Sequence, residues 1–399
     1  MRAQRRLLLG LSFLSVALGS SASASAAVEC LVSPERAELS VRLTGASDSA
    51  QIGPRSLEAS DIQVENGAVE CEGPPPTVHS IDTITIRDLT GRSTYVGIDY
   101  PEFFGPGDSS AGGDAGARTM NEIEINVLMG QGTRDQVGLL SAKPEKARWR
   151  YGSRGVNPLV EPRSDPNRDA DIFLQGSERH LARPHATASV VGTGGAGTGG
   201  PFPDPLTLEG SFGADRLVGG SASDLIAGSF GDDRLLGMGD RDEIRADDGA
   251  DLVSGGRGVD TAVWPYSGTD SQVRVDIGVG GANDGAAGRD ESEDGRRRDR
   301  VLGDIENLVG SEEADVLIGD EDANRITGND RHDILKGRGG PDHLIDDIAL
   351  DNTIGDAFFG GRGNDLLDAR DEWRDRKLRC GLGRDRLLRD DIDPRGEGC

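Results

Sequence analysis

From Gly210 the chain divides into six consecutive units of nine residues: GSFGADRLV, GGSASDLIA, GSFGDDRLL, GMGDRDEIR, ADDGADLVS and GGRGVDTAV. The sixth place is aspartate every time (Asp215, Asp224, Asp233, Asp242, Asp251, Asp260), and the eighth is always apolar (Leu217, Ile226, Leu235, Ile244, Val253, Ala262). Glycine opens five of the six. Helices repeat apolar residues every three to four positions and half-buried strands every two, so neither accounts for a step of nine. A turn followed by a very short strand does. Glycine supplies φ > 0 and aspartate tolerates it, so the first six places suit a turn. The last three, with one apolar centre, suit a strand. Two such units close one coil, and residues 18 apart then stack on one another.

This pattern resembles the haemolysin-type (RTX) calcium-binding repeat, GGxGxDxUx. The resemblance implies an all-β fold, a right-handed parallel β-helix or β-roll solenoid with calcium-binding turns. Calcium also suits the spacing. Stacked parallel strands lie ~4.8 Å apart, and calcium–oxygen bonds are ~2.4 Å. An ion between two stacked turns therefore meets a ligand from each, whereas magnesium is smaller and demands an octahedron. Asp215, Asp233 and Asp251 are expected in one column, and Asp224, Asp242 and Asp260 in the other. Position four is Gly213, Gly231 and Gly249 in the first, but Ala222, Asp240 and Gly258 in the second. On that ground the first column ranks higher. Two carboxylates ~4.8 Å apart repel by roughly 1 kcal/mol in water and by more in a protein. Each column then needs cations, and calcium binding becomes folding energy.

A second array continues the step with Asp315, Asn324, Asp333, Asp342 and Asp351, and with Leu317, Ile326, Leu335 and Leu344 at the apolar place. The register then slips. An insertion of five before GGRGNDLLD places Asp365 above Asp342, and a slip of two places Asp385 above Asp365. Their turns keep Gly340, Gly363 and Gly383 at position four, so Asp342, Asp365 and Asp385 form the expected second calcium column. The opposite side carries Glu313, Arg331 and Ala349 there and reads as degenerate. The competing reading of this array is a metal-free β-helix.

Between the arrays, SQVRVDIG alternates Val273, Val275 and Ile277, which predicts a strand. The following charged stretch, with Arg296 to Arg298 among acids, predicts a solvated loop. Residues 28–200 contain IDTITIRD and NEIEINVLMGQGTRDQV, whose alternation also predicts β structure. GQGTRDQV looks like a decayed repeat. GTGGAGTGGPFPDPL reads as a linker by composition, or as the junction of one continuous solenoid, which is the reading adopted. Asp165, Asn167, Asp169 and Asp171 have the opening spacing of an EF-hand loop. Ala170 and Gly176 replace its glycine and glutamate, so they read as solvated. The expected organisation is a signal peptide at 1–26, a metal-poor β-helix with an N-terminal cap at 27–205, and a first repeat array at 206–263. A coil with a charged loop follows at 264–309, then a second array and disulfide-closed C-terminus at 310–399.

The N-terminus bears Arg2, Arg5 and Arg6, an apolar run from Leu7 to Leu18 and an Ala24–Ala26 cleavage motif, which together predict a secretory signal peptide and an extracellular protein. Its removal takes away three arginines and no acids, making a formal charge of −26 still more negative. So acidic a chain repels nucleic acid and anionic membranes and attracts cations. No later stretch is apolar enough to span a bilayer. Aromatic residues are 4% of the chain, too few for an aromatic-filled core. Cys30, Cys71, Cys380 and Cys399 read as two disulfides, and their clustering favours Cys30–Cys71 and Cys380–Cys399.

For activity, the sequence holds neither HExxH nor GxSxG, and its five histidines show no ligand or triad spacing. The favoured function is therefore a non-catalytic, secreted calcium-binding protein, with calcium ions as ligand and a surface or matrix polysaccharide or protein as candidate partner. The alternative is a calcium-dependent β-helix enzyme, a lyase or hydrolase, acting on polysaccharide.

Overall fold

The computed structural model describes residues 28–44, 49–54, 61–64, 69–77, 80–81, 83–89, 95–99, 124–128, 136–140, 147–152, 155–160, 172–175, 179–183, 188–191, 205–210, 214–264, 272–277, 284–286, 299–346 and 355–399. The leader at 1–26, the EF-hand-like cluster at 165–171, Arg296 to Arg298 and Asp351 lie outside the described residues, as do most of GQGTRDQV and of the Gly–Pro stretch. Every element is a strand, and among the described residues there is no helix to cross a membrane.

The nonapeptide explains the local structure directly. Leu225–Ala227, Glu243–Arg245 and Thr261–Val263 are three-residue strands in which only the middle side chain faces inward. That residue is Ile226, Ile244 or Ala262, each at most 1% exposed. On the other face Leu217 plays the same part in the three-residue strand Arg216–Val218, and Leu235 and Val253 in six-residue strands. The core is thus a column of aliphatic side chains between two faces, extended downstream by Leu317, Ile326, Leu335, Leu344, Phe358, Leu367 and Leu378.

Pairing is parallel and steps by one coil. Leu217 lies beside Leu235, and Leu235 beside Val253; Ile226 lies beside Ile244, and Ile244 beside Ala262. One face is a single sheet of 14 hydrogen-bonded strands running from Ile62–Val64 to Arg386–Arg389. The opposite face is divided into sheets of 12 and 6 strands. The division falls at the segment between the arrays, where Val273–Asp276 pairs forward with Val316–Ile318 while Arg300–Val301 pairs back with Leu252–Arg257. The predicted strand around Val273 is therefore the start of the third sheet.

Upstream of the repeats the same parallel stacking continues. Thr83–Asp88 pairs with Glu124–Leu128, and Tyr95–Asp99 with Gln136–Leu140. The antiparallel pair Ala147–Gly152 and Gly155–Val160 interrupts this progression. The first coil is closed by antiparallel strands, Val28–Ser33 on Glu38–Leu43 and Ser49–Pro54 on Ile62–Val64. Disulfides join Cys30 to Cys71 and Cys380 to Cys399, one at each end of the stack.

Candidate metal sites in the turns

Each turn enters its strand through the sixth-place aspartate, whose carboxylate is used twice. One oxygen reaches to the neighbouring coil. The backbone N–H of Asp215 donates to Asp233 Oδ1 at 2.7 Å, and that of Asp233 to Asp251 Oδ1 at 2.8 Å. In the opposite column Asp224 N–H donates to Asp242 Oδ1 and Asp242 N–H to Asp260 Oδ1, at 2.8 and 2.9 Å. Parallel stacking leaves this N–H without a strand partner, and the next aspartate caps it. The two columns run along opposite edges of the solenoid, and each member is at most 3% exposed.

The second oxygen turns back into its own turn. A Cβ built on Gly228 would lie 2.6 Å from Asp233 Oδ2, and one on Gly360 would lie 2.5 Å from Asp365 Oδ2. Glycine opens the nonapeptide because the carboxylate occupies the space of a side chain. In this position the Oδ2 atoms of Asp233, Asp242, Asp260, Asp333, Asp342 and Asp365 are buried and accept no hydrogen bond.

These turns share one backbone conformation, left-handed at places two and four. Ser229 and Gly231 have φ of 74° and 121°, and Met238 and Asp240 have 85° and 72°. The second array repeats it, with 77° at Asn329 and 73° at Arg331. A glycine at place four is therefore not required for this conformation: Asp240 and Arg331 adopt it, whereas the turn with Ala222 does not. Asp240 and Arg331 are held in the glycine-like conformation by the coils stacked on them, at a cost of about 1–2 kcal/mol each.

A different kind of turn begins three of the stacks. In the turns ending at Asp224, Asp315 and Asn324, the second-place N–H donates to the sixth-place side chain. The pairs are Gly220 to Asp224 Oδ2 (2.6 Å), Ser311 to Asp315 Oδ2 (2.5 Å) and Asp320 to Asn324 Oδ1 (2.9 Å). No residue of these three turns has positive φ. Their side chains also find partners on the preceding coil: Leu206 N–H donates to Asp224 Oδ1, Val273 N–H to Asp315 Oδ1, and Asn324 Nδ2 donates to Glu306 O.

Downstream, Asp365 stacks on Asp342 and Asp385 on Asp365, each link an N–H to Oδ1 bond of 3.0 Å. The opposite edge, degenerate by sequence, carries an unbroken stack of its own. Asp315 N–H donates to Asp333, Asp333 to Asp356, Asp356 to Asp375 and Asp375 to Asp393, at 2.7–3.0 Å. Asp356 takes the place that strict counting gives to Asp351. Between the arrays, Glu306 Oε2 caps Asp260 N–H at 2.8 Å and Asp299 Oδ1 caps Asp251 N–H at 2.8 Å. Sequence reasoning missed Asp299, Glu306, Asp356, Asp375 and Asp393 because insertions remove them from the count of nine. The available signal was an aspartate two or three places before an inward Phe358 or Leu378.

Burial raises the carboxyls first, and stack neighbours add to it. Asp233 is pushed up to about 9 by burial, with Asp251 and Asp215 repelling it and the Asp215 N–H opposing the rise. Asp242 reaches about 8, and Asp342 about 7, for the same reasons. Asp224 and Asp315 rise only to about 6, because each accepts additional backbone hydrogen bonds. A cation along the stack would offset both burial and repulsion.

The donor set is oxygen alone, which selects a hard cation. Among the described residues no three acid, histidine or cysteine side chains already converge as a metal shell. Calcium takes six to eight oxygens, so backbone carbonyls of the turns must complete any site the aspartates begin.

Parallel short strands, aspartate-lined turns and an aliphatic column define an all-β parallel β-roll. The RTX calcium-binding nonapeptide repeat matches the chain in four copies, over residues 207–235, 228–262, 302–335 and 309–344. These stretches of the chain are accordingly RTX-type repeats, and repeats of this kind bind Ca2+. No curated protein matches the chain.

Proposed function

We propose that the protein is a secreted, non-catalytic calcium-binding protein whose ions lock stacked turns together. The buried, hydrogen-bond-free Oδ2 atoms of Asp233, Asp242, Asp260, Asp333, Asp342 and Asp365 carry this reading. Leaving such a group unsatisfied costs about 1–3 kcal/mol, and more when it is charged. Calcium, when bound, supplies the missing positive charge and draws oxygens from two adjacent turns.

The residues fit that ion: acceptor-only oxygens, open turns and stacking at a spacing matched to calcium–oxygen bonds. Asp215, Asp233 and Asp251 would serve one edge of the first array, and Asp242 with Asp260 the other. Asp342, Asp365 and Asp385 would serve the second array, with Asp333 on its opposite edge. Asp224, Asp315 and Asn324, bonded within their own turns, would start the stacks and hold calcium least well. The organisation we assign is a leader at 1–26, a metal-poor β-helix at 27–205, arrays at 206–263 and 310–399, and a linking coil at 264–309. Two disulfides and the Arg-then-apolar N-terminus support export.

The test is calcium titration of the full chain, followed by far-UV circular dichroism and thermal melting. The expected result is a gain in β signal and in Tm on calcium addition, reversed by chelator. An unchanged melt after chelation would overturn the structural role of calcium.

A further inference from the structure

We propose a further calcium site outside the nonapeptide register, built from the side chains of Asp346, Asp356, Asp371 and Asp375. It goes beyond the reading above, resting on it only in the choice of ion.

Asp346 follows the strand His343–Ile345 and stands one coil beyond Gly328, at the place where the repeat has glycine. In sequence, Asp346 stands five residues further from its stacked aspartate, Asp356, than the opening glycine of a nonapeptide does from its own. Its backbone is fixed by the N–H bond to Asp368 O at 3.0 Å. The carboxyl is 6% exposed, and both of its oxygens are buried without a hydrogen-bond donor.

Asp346 faces three more buried acids. Asp356, Asp371 and Asp375 are 0, 1 and 3% exposed. Each spends one oxygen on a backbone N–H, from Asp333, Trp373 and Asp356 respectively, at 2.8, 2.8 and 2.9 Å. The remaining Oδ2 of each is buried and accepts nothing. Asp346 approaches Asp356 and Asp371 to hydrogen-bonding distance. As carboxylates, however, none of these groups has a proton to give. Among the described residues no lysine or arginine forms an ion pair with any of the four; the exposed Arg376 acts on Asp356 only through its field.

Five buried oxygens thus lack any donor: both of Asp346 and one each of Asp356, Asp371 and Asp375. That number approaches the shell of calcium, which accepts irregular geometry. The carboxyls adjoin pairwise rather than closing on one point. A cation entering between them exchanges repulsion for shared coordination. The repeat sites need turn carbonyls, whereas side chains dominate this one.

Equilibrium dialysis of the full chain against calcium tests the assignment, comparing wild type with Asp346→Gly and Asp346→Asn. The glycine variant restores the residue that the repeat has at this place. Both variants should bind one calcium fewer per chain while keeping the wild-type circular dichroism at saturating calcium. Terbium provides the location. Its emission on indole excitation should fall in both variants to the level of Trp373→Phe, since Trp373 lies two residues from Asp371. An unchanged calcium count in both variants would mean that the cluster holds protons only, and would overturn the site. Loss of several ions together with the β signal would make Asp346 a packing residue and also overturn it. A wild-type count of zero would instead defeat the calcium reading as a whole.

Discussion

The backbone N–H of Asp342 donates to Oδ1 of Asp365 at 3.0 Å, across 23 residues where an uninterrupted repeat spans 18. The insertion of five is taken up between the strands, and the stack passes through unchanged. Removing the Asp365 carboxylate should therefore act as it would in an uninterrupted repeat. Asp365→Ala leaves a buried N–H uncapped, a loss of about 1–3 kcal/mol, together with a ligand of the proposed column. The expected outcome is a Tm several degrees lower in calcium and a reduced calcium count, read by differential scanning calorimetry and dialysis. A melt identical to wild type would show that the stack ends before Asp365.

Glycine at place one is required by a close approach. Gly228→Ala would set a methyl 2.6 Å from Asp233 Oδ2 and 2.7 Å from Ala246 O. One of those contacts is backbone, so the turn itself must shift. We expect a destabilisation of about 1–3 kcal/mol, measured by urea unfolding in calcium. Weaker terbium binding by the first array should accompany it.

Asp240 offers the opposite change. It holds φ at 72° and adds to the charge that raises Asp242 and Asp260. Asp240→Gly relieves both and should raise the Tm of the chelated protein. Asp240→Ala removes the charge but keeps the left-handed strain of about 1–2 kcal/mol, and should gain less. Equal Tm values for the two variants would show that the backbone at this place is unstrained.

Without calcium, stability should fall as pH rises. Asp233, Asp242, Asp342 and Asp375 are pushed up to about 9, 8, 7 and 8, chiefly by burial. The folded chain therefore holds protons that the unfolded chain, with carboxyls near 4, has released. Their contribution is complete below about pH 4 and is lost as pH climbs through the range from 7 to 9. In chelator, the Tm at pH 5 should exceed that at pH 8.5. With calcium the slope reverses, because protons compete with the ion for the same oxygens. Parallel slopes in the two conditions would contradict a shared site.

The Cys380–Cys399 bond closes a loop of 19 residues on the last coil, and Cys380 N–H also bonds to Glu397 O at 3.0 Å. A terminal coil has a neighbour on one side only, so it is the first to fray. Cys399→Ser should speed amide exchange in residues 377–399 and leave residues 214–264 unchanged. Uniform acceleration along both arrays would show that the solenoid unfolds as one unit.

What could be read from sequence follows from the period. Ile226, Leu235 and Ile244 announce their inward positions because each stands two residues after an aspartate, and an unbroken count of nine fixes which coils are neighbours. Asp356 and Asp375 were illegible for the converse reason. Stacking is enforced by hydrogen bonds between coils, which tolerate extra residues in a turn, whereas counting does not. Nor could place four be judged by residue type. Asp240 and Arg331 adopt the conformation that their stacked neighbours impose, and those neighbours are not adjacent in sequence. Asp346 and the three acids around it come from two different coils, so no local spacing marks them.

The two aspartate stacks give the molecule a property belonging to charged polymers. With carboxylates repeating every ~4.8 Å along both edges, the ionised solenoid carries a charge for roughly every 2.4 Å of its axis, close to the ~1.7 Å of duplex DNA. Such a rod gathers a condensed cloud of counterions, and a divalent ion that binds must displace it. Calcium affinity is then set by the surrounding sodium or potassium as much as by the turns, and the same chain should hold its ions more tightly in dilute water than in brine.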